Sequence, residues 1–283
     1  MDLPYKPDFS GKVIVITGAA GVLCRVFASA LAQCGAKMVV LDHTEEKVRA
    51  LEREIRASGG EALGVVADVT DKQSLIRAHE AMHTAYGSCE ILINGAGGNK
   101  PAATTDDEFF DRVESVGEGK KNFFDLEPAA FDLVFGLNLN GTLLPTQVFA
   151  RDMAEAGKGV ILNISSMNAF TPLTKIPAYS AAKAAVSNFT RWLAVYFSQS
   201  GIRVNAMAPG FFSTRQNAKL LWNEDGTPTP RTMKILKHTP MGRFGEAEEL
   251  LGPLFFLLDD KSSGFVTGTV LAIDGGFSAY AGV

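Results

Sequence analysis

The sequence of 283 residues is poor in cysteine, tryptophan and histidine, and it has no excess of positive charge. Its three cysteines, Cys24, Cys34 and Cys89, show no C-x-x-C spacing, which disfavours a disulfide framework or a zinc site and predicts buried free thiols in a reducing compartment. The four histidines form no recognisable ligand set, so no metal is expected. A net charge of −4 argues against a nucleic-acid partner, which needs a basic face.

Long apolar runs are also missing. No segment reaches the roughly 20 residues needed to cross a bilayer, and the N-terminus lacks the apolar centre of a signal peptide. We therefore expect no membrane partner and a cytoplasmic protein. With 46% hydrophobic and 20% charged residues, the chain can bury a sizeable core. Since it shows neither repeats nor linkers, one domain over residues 1–283 is predicted.

Short β-branched runs alternate with longer segments of helical character. Strands are predicted at residues 12–17, 37–42, 63–68, 90–94, 160–165, 202–208 and 270–274. Helices are predicted at residues 22–34, 45–58 and 72–86. Strands with little polar alternation, separated by helices, indicate a parallel sheet covered on both faces. With right-handed crossovers, the predicted fold class is α/β, a doubly wound sheet of the Rossmann type.

Two segments interrupt this alternation. Residues 98–130 contain an acidic, polar stretch, and residues 211–245 are rich in proline, glycine and basic residues. Long loops beside a parallel sheet are often lids or binding loops. We interpret the first as an insertion, with surface decoration as an equal alternative, and the second as a substrate lid.

The first predicted strand leads into a turn that contains Gly18 and Gly21, and a helix follows. Such glycines let the backbone approach a pyrophosphate, and the helix N-terminus supplies N–H groups, although an ordinary turn also explains them. Asp42 ends the second strand, where a carboxylate can accept hydrogen bonds from both ribose hydroxyls and repel a 2′-phosphate. His43, rather than arginine, follows. NAD is therefore favoured over NADP, while a helix cap is the alternative role for Asp42.

Two more strands end in small or polar residues. Asp68 follows the third strand and is placed to meet the adenine amine. Asn94 ends the fourth strand, and the small residues at 95–97 permit close approach to the cofactor ribose. Because ligands of open α/β sheets bind at the carboxyl ends of the strands, these residues predict one cofactor edge.

Tyr179 and Lys183 are four residues apart in a helical segment, and Ser166 precedes them at a strand end. This spacing puts the phenol and the ammonium on one helix face, where the cation is expected to lower the pKa of Tyr179. A phenol tuned in this way exchanges a proton with an alcohol or carbonyl oxygen that a Ser166 hydroxyl holds. The tyrosine–lysine pair alone is a weak signal. Together with the serine and the glycine turn, it predicts an oxidoreductase.

Over its whole length the chain resembles the short-chain dehydrogenase/reductase family. The T-G-x-x-x-G-x-G, N-N-A-G, I-S-S and Y-x-x-x-K motifs of that family match residues 17–24, 94–97, 164–166 and 179–183. The resemblance implies that Asn138 positions Lys183 through a water relay, and that a loop after residue 208 grips the nicotinamide carboxamide. It also implies a homotetramer. Val22 and Cys24 stand where the family usually has glycine, and Gly95 also departs from its pattern.

The predicted catalytic residues are Ser166, Tyr179, Lys183 and Asn138. The predicted cofactor-binding residues are Gly18, Gly21, Val22, Leu23, Asp42, His43, Asp68, Val69, Asn94, Gly95, Ala96, Tyr179, Lys183, Pro209, Gly210, Phe212 and Thr214.

Segments 21–24, 93–98, 141–147 and 163–174 resemble the branch of this family that interconverts D-fructuronate and D-mannonate with NADH. Besides Ser166, Asn168 and Arg215 are the candidate substrate residues, since a guanidinium suits a carboxylate and an amide suits a sugar hydroxyl. Another sugar-acid or polyol dehydrogenase, such as a gluconate 5-dehydrogenase, is the alternative. A non-catalytic NAD-binding sensor is a more distant alternative, because such a protein is expected to lose the tyrosine or the lysine.

Overall fold

Seven parallel strands form a single sheet in the computed structural model, which describes residues 1, 3–112, 119–213 and 221–282. The strands are β1 (Val13–Thr17), β2 (Lys37–Asp42), β3 (Glu61–Val66), β4 (Ile91–Asn94), β5 (Gly159–Ile164), β6 (Ile202–Pro209) and β7 (Val270–Ile273). Their order across the sheet is β3-β2-β1-β4-β5-β6-β7. The doubly wound α/β fold predicted from the alternating pattern is confirmed.

Helices cover both faces of the sheet. Those within the described residues are α1 (Val22–Gln33), α2 (Glu45–Ala57), α3 (Lys72–Tyr86), α4 (Pro128–Phe135), α5 (Gly141–Ala156), α6 (Pro177–Tyr196), α7 (Pro230–His238), α8 (Leu251–Leu258) and α9 (Asp260–Ser263). Several boundaries follow from local chemistry. Pro128 and Pro177 open α4 and α6, where a missing N–H costs nothing, and Gly157 ends α5 with a φ of 65°. Each of these helices is short or polar enough that none in the described part of the chain can cross a bilayer.

The uninterrupted apolar runs arise because each central strand is buried on both sides. In β1, Ile14 and Ile16 join the core beneath α1 and α8, whereas Val13 and Val15 join the core beneath α3 and α5. Successive side chains of a strand point to opposite faces, so every position of such a strand must be apolar. The three cysteines are all buried free thiols, as predicted.

The third strand begins earlier than predicted. It spans Glu61–Val66, paired with β2 from Lys37↔Glu61 to Asp42↔Val66, so the predicted range 63–68 is displaced by two residues. As an edge strand, β3 alternates between buried and exposed positions, and its first residue is an exposed glutamate. The apolar run that suggested the strand therefore marks only part of it, and Asp68 lies beyond the strand.

The sheet order reverses direction at β1 and β4. The chain winds outward to β2 and β3 on one side and to β5, β6 and β7 on the other. In an open α/β sheet, the connections leaving two such strands diverge and leave a crevice beyond their carboxyl ends. The turns that start at Gly18 and Gly95 follow β1 and β4, so both line this crevice.

Candidate active site

The glycine turn after β1 packs directly on the turn after β4. Gly18 has a φ of 62°, and a Cβ built on it would lie 2.8 Å from Ala96 Cα. The hydroxyl of Thr17 accepts hydrogen bonds from the N–H groups of Gly95 and Ala96 at 3.1 and 3.2 Å. Thr17 was not among the predicted site residues. The available signal was a hydroxyl residue at the last position of a buried apolar strand.

Helix α1 starts at the crevice with an open N-terminus. Gly21 precedes its first turn, and no side chain caps it. Val22 and Leu23 are partly exposed there, whereas Cys24 faces the protein interior. An uncapped helix N-terminus presents N–H groups and a partial positive charge to an anion. The turn therefore has the geometry that a pyrophosphate requires, although it departs from the usual glycine spacing.

The carboxylate of Asp42 lies at the end of β2, beside the glycine turn. It is 8% exposed, and it accepts hydrogen bonds from Ala20 N and Thr44 N, both at 3.3 Å. His43 Nδ1 lies 3.1 Å from the same carboxylate. Thr44, rather than Asp42, occupies the cap position of α2, and it makes no side-chain cap bond. At this helix, Asp42 accepts a hydrogen bond only from the N–H of the cap residue and not from the first turn.

The side chains that end the next two strands are oriented differently. Asp68 is exposed, and its Oδ1 accepts hydrogen bonds from the N–H and hydroxyl of Thr70 at 2.8 and 2.7 Å. Val69 is buried against Gly141. Asn94 is 1% exposed and donates to Thr146 Oγ1 and Asn163 Oδ1 at 3.0 and 2.9 Å. The amide nitrogen of Asn94 therefore joins β4 to β5 and α5, whereas its side-chain oxygen is buried without a hydrogen-bond partner.

Helix α6 brings Tyr179 and Lys183 together, as their spacing predicts. The ammonium of Lys183 lies 5.7 Å from the centroid of the Tyr179 ring and donates to the Ile164 carbonyl at 2.7 Å. Ser166 begins the short turn after β5, and its hydroxyl is close enough to the phenol of Tyr179 to lower the pKa of that phenol. The strand-end serine and the two helix residues therefore form one constellation.

The predicted lowering of the Tyr179 pKa by Lys183 is wrong for this structure. Burial raises the pKa of Tyr179, and only the Ser166 hydroxyl opposes this effect. The ammonium bonds to a carbonyl instead of the phenol oxygen, which explains why it does not offset the desolvation. Burial also lowers the pKa of Lys183 from 10.5 to about 8.

Asn138, Gly97 and Lys183 converge at the edge of the crevice. Asn138 lies in a π-helical turn, Gly136–Asn140, between α4 and α5, and its amide exchanges hydrogen bonds with both backbone groups of Gly98 at 2.8 and 3.2 Å. A Cβ on Gly97 would lie 2.7 Å from Asn138 Oδ1 and 3.0 Å from Lys183 Nζ. Only glycine fits there. Gly97 was not among the predicted site residues, although its place in the small-residue run 95–97 pointed to it.

The loop after β6 closes the other side of the crevice. Pro209 ends the strand, and Gly210 N donates to the Ile273 carbonyl at 2.9 Å. Gly210 is packed so closely on Asp274 that its Cβ would lie 2.6 Å from Asp274 Cα. Phe212 is buried against Gly245. The predicted site residues Thr214 and Arg215 lie outside the described residues.

Besides Ser166, Asn168 is a predicted substrate residue that lies within the described residues. It is 5% exposed, and its backbone N–H donates to Ser166 Oγ at 3.3 Å. Its side-chain oxygen is buried without a hydrogen-bond partner. Since a buried polar atom without a partner costs free energy, this amide is suited to a ligand that supplies the missing hydrogen bond.

The insertion contacts both the lid and the start of α6. Lys175, with a φ of 70°, accepts a hydrogen bond from Thr105 N at 2.9 Å and donates from its ammonium to the Asp106 carbonyl at 2.6 Å. Glu108 pairs with Lys234 of α7 at 2.8 Å. The segment is thus tied to the elements that flank the crevice, which favours the binding-loop interpretation over surface decoration.

These features fit a nicotinamide dinucleotide. The crevice offers an uncapped helix N-terminus for a pyrophosphate, a carboxylate at Asp42 for a ribose, and a floor at Gly97 without a side chain. Ser166 and Tyr179 lie on the elements that follow β5. Within the described ranges, no group of three or more histidine, cysteine or carboxylate side chains is placed to hold a metal ion.

Known proteins share this arrangement. The model of the short chain dehydrogenase family matches residues 12–225. An uncharacterized oxidoreductase of Haemophilus influenzae is 53% identical over 285 aligned residues, which cover 100% of this chain and 99% of that protein. A Haemophilus crystal structure with bound NAD, provisionally described as a D-mannonate oxidoreductase, is 54% identical, with a TM-score of 0.94 and 98% of each chain covered. A Burkholderia cenocepacia gluconate 5-dehydrogenase in complex with NADP and tartrate is 30% identical, with a TM-score of 0.81 over 97% of this chain and 98% of that one.

The family match covers well over half of the chain, and the sheet order, the glycine turn and the tyrosine–lysine–serine constellation are those expected of it. The chain therefore belongs to the short-chain dehydrogenase family of oxidoreductases.

Proposed function

We propose that this protein is an NAD(H)-dependent oxidoreductase that interconverts D-fructuronate and D-mannonate. The observation that carries the proposal is the constellation at the crevice, where Ser166 and Tyr179 lie beside Lys183, Asn138 and Gly97. The likeness to the Haemophilus protein with bound NAD supports the cofactor and the substrate.

NAD, when bound, accepts a hydride from the carbinol carbon, and NADH returns it to the carbonyl carbon. The protein supplies the accompanying proton. In reduction, Tyr179 donates its phenolic proton to the oxygen of the former carbonyl as the C–H bond forms. In oxidation, the same oxygen returns its proton to Tyr179. Because burial raises the pKa of Tyr179, the phenol is protonated near neutral pH, which is the form that reduction requires.

Ser166 and Lys183 assist this proton transfer. The Ser166 hydroxyl acts on the phenol of Tyr179, and a substrate oxygen placed between the two groups would accept one hydrogen bond from each. Lys183, with its pKa at about 8, is largely cationic at neutral pH, and its ammonium lies 5.7 Å from the centroid of the Tyr179 ring. Asn138 holds the turn at Gly98 next to Lys183 and is proposed to support a water relay to this ammonium.

A sugar acid matches the polar side of the crevice. The unpartnered oxygen of Asn168, next to Ser166, is suited to accept a hydrogen bond from a substrate hydroxyl. The likeness to a gluconate 5-dehydrogenase favours the same substrate class, and the gluconate reaction is the alternative. Both reactions reduce a ketone of a hexonic or hexuronic acid.

A parallel substrate screen tests the proposal. Purified protein with NADH should reduce D-fructuronate, measured as loss of NADH absorbance, and NADPH should serve as a poorer donor. Tyr179→Phe should abolish turnover while still binding NADH, because only the proton donor is lost. Turnover of 5-ketogluconate without turnover of D-fructuronate would assign the enzyme to the gluconate reaction. Undiminished turnover by Tyr179→Phe would exclude the proton-transfer role.

A cytoplasmic homotetramer remains part of the proposal. One supporting feature is the outer face of α6, where Trp192, Val195 and Tyr196 are 56%, 77% and 65% exposed. Trp192 stacks on Phe189 and on Tyr196, so these aromatic rings form one continuous surface. Exposed apolar surface of this kind is typical of interfaces. Light scattering at assay concentrations measures the assembly directly.

A further inference from the structure

Two departures from the usual family motifs meet in space. Cys24 stands in the first turn of α1, and Gly95 stands in the turn after β4. A Cβ built on Gly95 would lie 2.3 Å from Cys24 Sγ. The cysteine sulfur therefore fills the space that any side chain at position 95 would need.

The contact lies at the base of both cofactor turns. Cys24 is 5% exposed, and burial raises the pKa of its thiol to about 12, so the sulfur is an uncharged packing group at neutral pH. The same turns are joined by the Thr17 hydroxyl, which bonds to Gly95 N and Ala96 N, and by the close approach of Gly18 to Ala96 Cα. We call Thr17, Gly18, Cys24, Gly95 and Ala96 the turn interface.

The turn interface also reaches the catalytic groups. Two residues after Gly95, Gly97 has no room for a Cβ between Asn138 Oδ1 and Lys183 Nζ. A displacement of the β4 turn therefore moves the backbone that faces these two side chains. Close-packed interiors transmit such displacements because they contain few voids that could absorb them.

We propose that Cys24 is a positioning residue of the cofactor site, and that its sulfur, packed on Gly95, sets the separation of the β1 and β4 turns. The two positions are thus interdependent: a cysteine at 24 requires glycine at 95. The inference rests on the proposed use of NAD(H), because the predicted defect is one of dinucleotide binding.

A double-mutant cycle tests this interdependence. Gly95→Ala introduces two close contacts, 2.3 Å to Cys24 Sγ and 2.8 Å to the Thr17 carbonyl oxygen. In a Cys24→Ala background the first contact disappears, because the new Cβ lies 3.7 Å from the Cβ at position 24. We expect Gly95→Ala to raise the Kd for NADH about thirtyfold in the wild type and about threefold in the Cys24→Ala background. The resulting coupling of about tenfold is in the range that residues in direct contact commonly show.

Cys34→Ala is the matched control. Cys34 is a buried thiol at the other end of α1, 3% exposed and away from the crevice. Both cysteine substitutions should lower Tm, but only Cys24→Ala should raise the Kd for NADH, by several-fold. Kd is measured by NADH fluorescence and Tm on the protein without cofactor, so neither measurement depends on turnover.

The outcomes separate the two proposals. A folded wild type that fails to bind NADH overturns the proposed function. If the wild type binds NADH but Gly95→Ala acts equally in both backgrounds, the positioning role of Cys24 is wrong. If Gly95→Ala does not fold, the Kd values for NADH of Cys24→Ala and Cys34→Ala are sufficient to test the positioning role of Cys24. Equal Kd values for those two variants then overturn the inference.

Discussion

Lys183 carries a charge that the fold buries, and the cost of this burial should be visible as a pH dependence of stability. The side chain is 4% exposed, and its ammonium bonds to the Ile164 carbonyl. Burial lowers its pKa from 10.5 to about 8. Lys183→Met removes the charge and keeps a flexible apolar stem, so it should remove this pH dependence together with the catalytic function.

The sign and size follow from proton linkage. Between about pH 8 and about pH 10.5 the unfolded chain keeps the proton that the folded chain has lost. The free energy of unfolding rises with pH wherever the unfolded state binds more protons. With these two pKa values, the wild type should gain about 2.5 kcal/mol relative to Lys183→Met between about pH 7 and about pH 10. The raised pKa values of Cys24 and Tyr179 act in the opposite direction in both proteins, and the loss of the Lys183 charge raises the pKa of Cys24 further in the variant.

Urea unfolding without cofactor, at four pH values across this range, measures the difference directly. Lys47→Met is the control, because Lys47 is exposed on α2 and its replacement should give a difference that does not change with pH. A difference between the wild type and Lys183→Met that stays constant or falls with pH would refute the assignment of a buried, destabilised ammonium at this position.

Three further substitutions test the site. Gly97→Ala should lower kcat at least a hundredfold, because its Cβ would lie 2.7 Å from Asn138 Oδ1. Gly136→Ala is the control and should keep its activity, because a Cβ there meets nothing within 4 Å. Similar kcat values for the two variants would exclude the tight contact at Gly97. Asp42→Asn should reduce the preference for NADH over NADPH by about tenfold, roughly 1.4 kcal/mol, because it removes the repulsion of a 2′-phosphate. An unchanged ratio of kcat/KM for NADH to kcat/KM for NADPH would contradict that role. Asn168→Ala should raise KM for the sugar acid about tenfold with little change in kcat, as expected for a lost hydrogen bond, and an unchanged KM would remove Asn168 from the substrate site.

Much of the site was predictable because its residues occupy the ends of strands. A strand buried on both faces is visible as an apolar run, and the polar or small residues that follow it must lie at one edge of a parallel sheet. Asp42 and Ser166 were found in this way, whereas the pair Tyr179–Lys183 was found from its four-residue spacing in a helical segment. The predicted range of the edge strand β3 differs from the observed one by two residues, because only one face of this strand is fully buried and its apolar run is shorter than the strand.

Contacts between distant segments were not predictable in the same way. The amide of Asn94 bonds to Asn163 and Thr146, 69 and 52 residues away, and no local pattern marks these partners. The expected effect of Lys183 on Tyr179 failed for a related reason. Helix spacing specifies which side chains are neighbours, whereas the pKa of the phenol depends on how much water the surrounding elements exclude.

The sequence by itself therefore determined the order of strands and helices, the doubly wound class and the residue types that line the crevice, because all three follow from local periodicity and chain order. Only the tertiary structure decided how close the turns come to one another. That Cys24 excludes a side chain at position 95, and that Gly97 alone fits between Asn138 and Lys183, are properties of packing between segments far apart in the chain, where tenths of an ångström determine whether a side chain fits.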